Sequence, residues 1–361
     1  MLSIEKMKKS LYQFLLAVTF MAGLTSCHES PSYKNTLYGN FDALVDIIDS
    51  HYCFFEDKNI DWKATAAQYR ELINEETGDL QLFTICSALL DELQDGHVNL
   101  TSRFNTTYYK KWWTDYPQDF NLRTLQEYYL DFNWFTTSGI IYKQLPGEIA
   151  YMYYPSFSYV VSETSLDYIL AILYNSRGLI IDIRDNGGGL LTNIDVLVGR
   201  FIEEQITGGY IMHKTGPGHD SFSKPYPITY SPAMEGRIKW PGQIVVLTNR
   251  SCFSAANNFV SVMKQLPNVS IVGARTGGGG GMPFSSEIPN GWGIRFSACP
   301  ILDADFNITE YGIDPSPGCE VHATEEELAQ GKDAILEFAM DMLKDNPLPF
   351  PDKEEEEEQD N

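Results

Sequence analysis

Ser254 is the residue of this sequence whose type and position best suit a nucleophile. It follows a predicted strand over 243–248 and precedes a predicted helix over 255–266. A serine there faces the unpaired N–H groups and the positive dipole of the helix N-terminus, which also favour an oxyanion. A serine that only caps the helix has the same pattern. The segment alone therefore allows both roles.

Two other segments could complete such a site: Asp95-Gly96-His97 and the glycines 187–189. A serine hydroxyl needs a nearby base, and a histidine titrates close to neutral pH. The glycine turn lies between a predicted strand and a predicted helix, where backbone N–H groups can approach a ligand. Either segment could also be structural. The glycine run 277–281 is no phosphate loop, and we interpret it as a mobile loop beside the site.

The elements that must position these residues follow from the apolar spacing. Helical spacing covers 37–49, 62–75 and 80–93, and the pattern changes after residue 148. Beyond that point strands and helices alternate, with strands at 149–153, 178–184, 243–248 and 269–274, and helices at 166–174, 190–202 and 255–266. This alternation predicts an α/β architecture with buried, largely parallel strands.

The composition limits the function classes. Of the 361 residues, 43% are hydrophobic, enough for a large core. Lys plus Arg number 26 and Asp plus Glu 49, so the formal net charge is −23. So acidic a chain is poorly suited to nucleic acid, which is bound through basic contacts to phosphate. The six cysteines and six histidines show neither CxxC nor HExxH spacing, so we predict no metal and no cofactor.

The N-terminal segment reads as a secretory signal. Three lysines, at positions 6, 8 and 9, precede a short apolar run over 11–24. The run ends in Leu24-Thr25-Ser26-Cys27, which resembles the lipobox of bacterial lipoproteins. The resemblance implies a lipid on Cys27 and a protein anchored to a membrane of the bacterial cell envelope. An ordinary cleaved signal with a chance cysteine is the alternative.

Five ordered segments together resemble the C-terminal processing (tail-specific) serine peptidases and their tricorn-protease relatives. These segments are 90–98, 179–189, 246–257, 271–277 and 311–315. The resemblance implies a crotonase-like (ClpP/crotonase) ββα core with an N-terminal helical bundle. It assigns Ser254 as the nucleophile and the N–H of Ala255 as one oxyanion donor. A glycine of the 187–189 turn supplies the other donor, with Gly188 preferred and Gly187 as the alternative.

The sequence departs from that family pattern in two places. The lysine of the Ser–Lys branch falls at Gly279, so a Ser–Lys mechanism is excluded. His97 stands instead where the tricorn-type Ser–His branch keeps its base, but Gly96 replaces the serine that precedes that histidine. A carboxylate is then expected to orient His97, with Asp314 as the first candidate and Glu310 as the second.

The expected organisation has six parts: signal 1–26, linker 27–36, helical bundle 37–100, aromatic-rich connection 101–145, peptidase core 146–345 and acidic disordered tail 346–361. About 50 residues separate His97 from the first core strand, and an independent domain needs roughly 60, so no PDZ domain is predicted. The aromatic residues of 108–116 either line the cleft or pack against the core.

The expected function is that of a serine peptidase acting on peptides or unfolded protein segments. One alternative is an inactive family member that binds peptides or small hydrophobic ligands in the same cleft. A second alternative is an envelope scaffold with a peptidase-like core. The sequence leaves the oligomeric state open.

Overall fold

The structure is a computed structural model and describes residues 32–350. The predicted signal, Cys27 and residues 351–361 of the predicted tail lie outside the described residues. Within 32–350, no helix has the length and apolar character needed to cross a bilayer. All five cysteines of that range are buried free thiols.

The helices of the described range, in chain order, are α1 Leu37–His51, α2 Trp62–Arg70, α3 Asp79–Asp91, α4 Lys111–Thr114, α5 Leu122–Thr124, α6 Glu163–Leu173, α7 Thr192–Val198, α8 Ala255–Met263, α9 Glu325–Ala329 and α10 Ala334–Leu343. A π-helical turn, Leu125–Tyr129, continues α5. The strands of the same range are β1 Asn99–Thr101, β2 Phe135–Thr137, β3 Ile140–Leu145, β4 Ile149–Tyr153, β5 Leu179–Asp182, β6 Ile206–Ile211, β7 Tyr226–Tyr230, β8 Ile244–Thr248, β9 Val269–Gly273, β10 Gly281–Glu287 and β11 Gly293–Leu302.

A six-stranded sheet forms the centre of the fold, in the order β2-β3-β4-β5-β8-β9. Strands β4, β5, β8 and β9 run parallel, and every residue of β4, β5 and β8 is buried. Apolar clusters cover both faces of this sheet. Burial on both faces explains the nearly continuous apolar runs in the sequence. The predicted α/β architecture is therefore confirmed.

A second sheet has the order β1-β11-β6-β7, and β10 also pairs with β11. Helices α1, α2 and α3 pack against it through an apolar cluster that includes Phe41, Leu89 and Phe296. Strand β1 directly follows the His97 segment and pairs with β11, with Asn99 opposite Arg295. The N-terminal helices and the second sheet therefore hold His97 over the central sheet.

The loops after β5 and β8 carry the chemical residues. These two strands are parallel neighbours, so their carboxyl ends lie at the same edge of the sheet. Residues 183–191 follow β5, and residues 249–254 follow β8. Ligand sites of open α/β sheets form outside this edge. The glycine turn and Ser254 are therefore brought together by the strand order.

Some element boundaries and one loop interpretation differ from the structure. Helix α2 ends at Arg70 rather than at 75, because Asn74 N–H donates to Thr77 Oγ1 (2.9 Å) and a turn replaces the helix. The interpretation of 277–281 as a mobile loop is wrong, since these glycines are buried and hydrogen-bonded. Gly280 N–H donates to Glu310 Oε2 at 3.0 Å, for example.

Candidate active site

Ser254 sits on a sharp turn between β8 and α8. Its backbone has φ 58° and ψ −119°, a strained conformation for a residue with a side chain. Its N–H donates to Gly278 O at 2.8 Å, which holds the turn in place. Its hydroxyl makes no capping hydrogen bond to α8. The geometry therefore differs from that of an ordinary N-cap and matches a nucleophile elbow.

The hydroxyl of Ser254 contacts His97 instead. Ser254 Oγ and His97 Nε2 are 2.9 Å apart, a hydrogen-bond distance. His97 lies on the loop between α3 and β1, and its backbone N–H donates to Asp95 Oδ1 at 2.7 Å. Its ring packs against Phe253, with the ring centroids 4.8 Å apart. The structure thus brings together the two residues that the sequence singled out.

His97 is positioned to accept a proton. The pKa of His97 is lowered to about 4, mainly by burial; the charge of Asp95 opposes this shift, and the charges of Arg295 and Lys58 add to it. The ring is therefore neutral at pH 7. With Nε2 accepting from the Ser254 hydroxyl, the ring proton lies on Nδ1, which has no hydrogen-bond partner among the described residues.

A buried charged cluster lies behind His97, and sequence reasoning did not find it. Lys58 Nζ donates to Glu310 Oε1 at 2.9 Å and lies 4.0 Å from Asp95 Oδ2. It also donates to the carbonyls of Leu93 and Gln94 at 3.1 and 3.2 Å. Nothing in the local sequence around Lys58 distinguishes it from a surface lysine. Only the fold brings it beneath the His97 loop.

The two carboxyls of this cluster share one cation. Burial and the charge of Asp95 raise the pKa of Glu310 to about 8. Although burial opposes it, the charges of Lys58 and His97 hold the pKa of Asp95 below its usual range. The raised pKa lets Glu310 take up a proton more readily than an ordinary glutamate, which limits the unpaired negative charge that the cluster can bury.

The structure does not place Asp314 as a partner of His97. The Asp314 side chain is exposed and lies 3.4 Å from Arg275 Nε. Glu310 is buried, but its oxygens are held by Lys58 Nζ and Gly280 N–H. The Gly-Ile-Asp-Pro segment passes near the site, but the Asp314 side chain turns to solvent. Asp95, which bonds the backbone of His97, is the carboxylate in contact with that residue.

The N–H groups expected to bind the oxyanion differ in their hydrogen bonds. Gly188 N–H donates to Asn186 Oδ1 at 2.9 Å, so it is already engaged. The N–H groups of Gly187 and Ala255 donate to no group of the described residues. Gly188 has a spatial role, because its φ is +95° and an added Cβ would lie 2.8 Å from Ser254 Cβ. The glycine-turn N–H groups without such a bond include that of the alternative donor, Gly187.

Aromatic rings explain both departures from the family pattern. Trp112 and Phe253 stack with ring centroids 4.2 Å apart. A Cβ at Gly96 would lie 2.5 Å from Trp112 Nε1, and one at Gly279 would lie 2.5 Å from Phe253 Cζ. Neither a serine at 96 nor a lysine at 279 fits without displacing a ring. The stack occupies the space that those side chains would need.

The nucleophile and base open into a cavity of about 430 Å³. Ser254, His97 and the glycines 187–189 line it on one side. Aromatic residues of the predicted connection line the other side: Tyr108, Tyr109, Trp112 and Trp113. Over residues 32–350, no group of three or more His, Cys, Asp or Glu side chains is arranged to hold a metal ion.

A strained serine bonded to a buried histidine, with free N–H groups beside it, is an arrangement typical of serine hydrolases. Comparison with known families agrees. Residues 148–316 match peptidase family S41, and residues 34–90 match the tricorn protease C1 domain. A crystal structure from Parabacteroides merdae, provisionally assigned as a peptidase, is 43% identical, with a TM-score of 0.81 over 86% of this chain and 97% of that one. The chain belongs to peptidase family S41.

More distant relatives define the branch and the fold. The tricorn protease of Thermoplasma acidophilum is 25% identical over 209 residues, which is 56% of this chain and 17% of that protein. A tricorn-like subunit from Sulfurisphaera tokodaii is 24% identical over 56% of this chain and 22% of its own length. The chain thus spans about a fifth of the curated relatives it matches. The structure of mature CPAF in complex with lactacystin has a TM-score of 0.64 over 85% of this chain and 97% of that one. At 11% identity, this match shows similarity of fold only. The predicted class, a serine peptidase, is confirmed at the level of the family.

Proposed function

We propose that this protein hydrolyses peptides or unfolded protein segments, with Ser254 as nucleophile and His97 as general base. The observation that carries the proposal is the 2.9 Å contact between Ser254 Oγ and His97 Nε2 on a strained strand-to-helix turn. The low pKa of His97 keeps Nε2 free to accept a proton at neutral pH. No metal or cofactor takes part in this scheme.

The reaction begins when the Ser254 oxygen attacks the carbonyl carbon of the scissile peptide bond. His97 Nε2 takes the hydroxyl proton, and the carbonyl oxygen becomes an oxyanion. His97 then gives the proton to the leaving nitrogen as the C–N bond breaks, which leaves an acyl ester on Ser254. Water attacks the ester while His97 takes its proton, and His97 returns that proton to Ser254 Oγ as the C–O bond breaks and the carboxylic acid leaves.

The N–H groups of Ala255 and Gly187 stabilise the oxyanion in this scheme. Ala255 begins α8, so the positive end of the helix dipole acts at the same place. Gly187 is exposed to the cleft and its N–H is uncommitted. Each such donor contributes about 3–4 kcal/mol to the transition state in serine peptidases.

Tests of this function use the full chain and two variants. Wild type, Ser254→Ala and His97→Ala are incubated with a mixed peptide library, and products are read by mass spectrometry. We expect cleavage by wild type only, with both variants folded by circular dichroism. Equal cleavage by wild type and Ser254→Ala would overturn the assignment of the nucleophile. Equal cleavage by wild type and His97→Ala would overturn the assignment of the base.

The site of action proposed is the bacterial cell envelope, with Cys27 as the lipid anchor. The lipobox-like sequence at 24–27 is the support for this step. Growth with radiolabelled palmitate tests it: the wild-type chain should take up label, and Cys27→Ser should not. Equal labelling of both chains would contradict the anchor.

One observation favours a second candidate function. His97 Nδ1 has no hydrogen-bond partner among the described residues, so no carboxylate orients the ring through that atom. A family member that binds peptides or small hydrophobic ligands without cleaving them does not need an oriented His97 ring. In the library experiment, that candidate predicts peptide retention by folded wild-type protein and no products.

A further inference from the structure

The active-site cavity carries positive charge in a strongly acidic protein. The whole chain has 49 acidic and 26 basic residues. Yet the cavity that contains Ser254 and His97 is lined by Arg295 and Lys110, and no aspartate or glutamate of residues 32–350 lines it. The charge of this cavity wall is therefore opposite in sign to the net charge of the protein. Charge lining a cleft selects ligands of the opposite charge.

Arg295 is fixed in the cavity wall by the fold. It lies on β11 between β1 and β10, paired with Asn99 on one side and Ser285 on the other. Its neighbours Ile294 and Phe296 belong to the buried cluster beneath the N-terminal helices. Since side chains alternate along a strand, Arg295 projects from the opposite face, toward the cavity.

The guanidinium of Arg295 is only weakly satisfied within the described chain. Its single hydrogen bond is to the neutral amide oxygen of Asn99, at 3.4 Å. No described carboxylate lies within the 4.0 Å of an ion pair. The side chain is half-buried, and this burial lowers the pKa of Arg295 although the charge of Asp95 opposes the shift. An arginine has five N–H donors in a planar fork that suits a carboxylate.

Arg250, in the adjoining wall, provides the contrast. Its Nε donates to Trp112 O at 2.6 Å and its Nη1 to Thr276 O at 2.9 Å. Its guanidinium also stacks over the Tyr116 ring at 4.1 Å. Arg250 is therefore committed to holding the aromatic segment in place, whereas most donors of Arg295 remain free.

We propose that Arg295 binds a carboxylate of the substrate, so that this peptidase prefers peptides with an anionic group near the bond that is cut. The inference rests on the proposed function, because it concerns substrate choice at that same site. The carboxylate comes either from an acidic side chain or from the C-terminus of the peptide. Both present the same planar anion to the guanidinium.

The test compares matched peptides on the full chain. One arm contains C-terminally amidated peptides in Asp/Asn and Glu/Gln pairs at each position. The other arm contains neutral peptides with a free C-terminal carboxylate or an amide. For each pair, the ratio of kcat/KM is measured for wild type, Arg295→Met and Arg295→Lys. The matched control is Arg123→Met, which removes an exposed arginine outside the cavity and the same unit of charge.

We expect wild type and Arg123→Met to prefer the anionic member of at least one arm by about tenfold. Arg295→Met should reduce that ratio to about one, and Arg295→Lys should keep part of it because charge remains without the fork. The arm that shows the preference identifies the source of the carboxylate. Equal rates within every pair for wild type, or an unchanged preference in Arg295→Met, would overturn the proposal.

Binding separates this proposal from the proposed function. The same peptides are passed over immobilised Ser254→Ala protein and over the double variant Ser254→Ala/Arg295→Met. Enrichment of the anionic members on the first but not the second supports the carboxylate site even if wild type cleaves nothing. Cleavage without any anionic preference, in rates or in retention, supports the peptidase and rejects the role of Arg295.

Discussion

Replacing Lys58 with methionine tests the buried cluster behind His97. The Lys58 side chain is 8% exposed, and methionine has similar length without the charge. The variant loses the hydrogen bonds to Glu310, Leu93 and Gln94 and leaves two buried carboxyls without a cation. Removing one partner of a buried ion pair costs about 3–5 kcal/mol. Because Glu310 can take up a proton, we expect the free energy of unfolding to fall by about 3 kcal/mol.

The assay is urea unfolding at pH 7, analysed by linear extrapolation. Lys63→Met is the matched control: Lys63 lies in the same helical region, but its side chain is 81% exposed and its nitrogen is 3.8 Å from Asp49. That exposed pair should contribute less than about 1 kcal/mol. Adding Glu310→Gln to Lys58→Met should restore part of the lost stability, since it removes one unpaired acid. Equal losses in the two lysine variants would refute the reasoning.

Three further predictions use the same protein. Because His97 has a pKa of about 4 and must be unprotonated to act, kcat/KM should stay level from pH 7 to pH 5 and halve near pH 4. Circular dichroism at each pH checks that the protein stays folded. A fall of kcat/KM to half near pH 6.5 would contradict the lowered pKa of His97. Gly188→Ala should lower the free energy of unfolding by about 2 kcal/mol, because its Cβ would lie too close to Ser254. Gly187→Ala, whose Cβ meets no atom within 4 Å, should change the free energy of unfolding by less than about 0.5 kcal/mol. Similar losses for the two variants in urea unfolding would argue against the packing around Gly188. Ser254→Gly should be about 1 kcal/mol more stable than Ser254→Ala, because glycine relieves the strain at φ 58° and alanine keeps it; thermal melts that coincide would argue against strain.

The four parallel strands β4, β5, β8 and β9 were the most predictable part of the fold. Strand β4 was predicted residue for residue, and β5, β8 and β9 to within one or two residues at each end. Their apolar runs are dictated by burial on both faces, a strong and local signal. Helix ends were less predictable. At α2, competition from the Asn74 and Thr77 side chains ends the helix early, and such bonds depend on details that periodicity does not contain.

The site was predictable in residue type but not in geometry. Ser254 and His97 stand 157 positions apart, and only the parallel pairing of strands and the β1–β11 contact bring them within 2.9 Å. The sequence did not show that the Asn186 side chain engages the Gly188 N–H, which leaves Gly187 as the donor we propose. It also did not show that the exposed Asp314 side chain contacts Arg275 rather than His97, because a motif gives the position of a residue but not the direction of its side chain.

The aromatic residues of the connection are evident in the sequence, but their role is not. The rings of 108–116 could have packed against the core or lined the cleft, and composition does not separate these outcomes. In the structure four of these five rings line the active-site cavity, Tyr116 lines the adjoining one, and Trp112 also fills the space beside Gly96. The glycine at position 96 is therefore needed because Trp112 packs against it, and only the three-dimensional structure shows this contact.

The most direct test of the central claim is labelling by a fluorophosphonate, which reacts with activated serine hydroxyls and requires no knowledge of the substrate. The full chain is treated, digested and analysed by mass spectrometry, with the rate of labelling followed over time. We expect a single adduct on Ser254, formed at least about 100-fold more slowly in His97→Ala. An unlabelled Ser254 in the folded wild-type chain, or equal rates in wild type and His97→Ala, would rule out the assignment of Ser254 and His97.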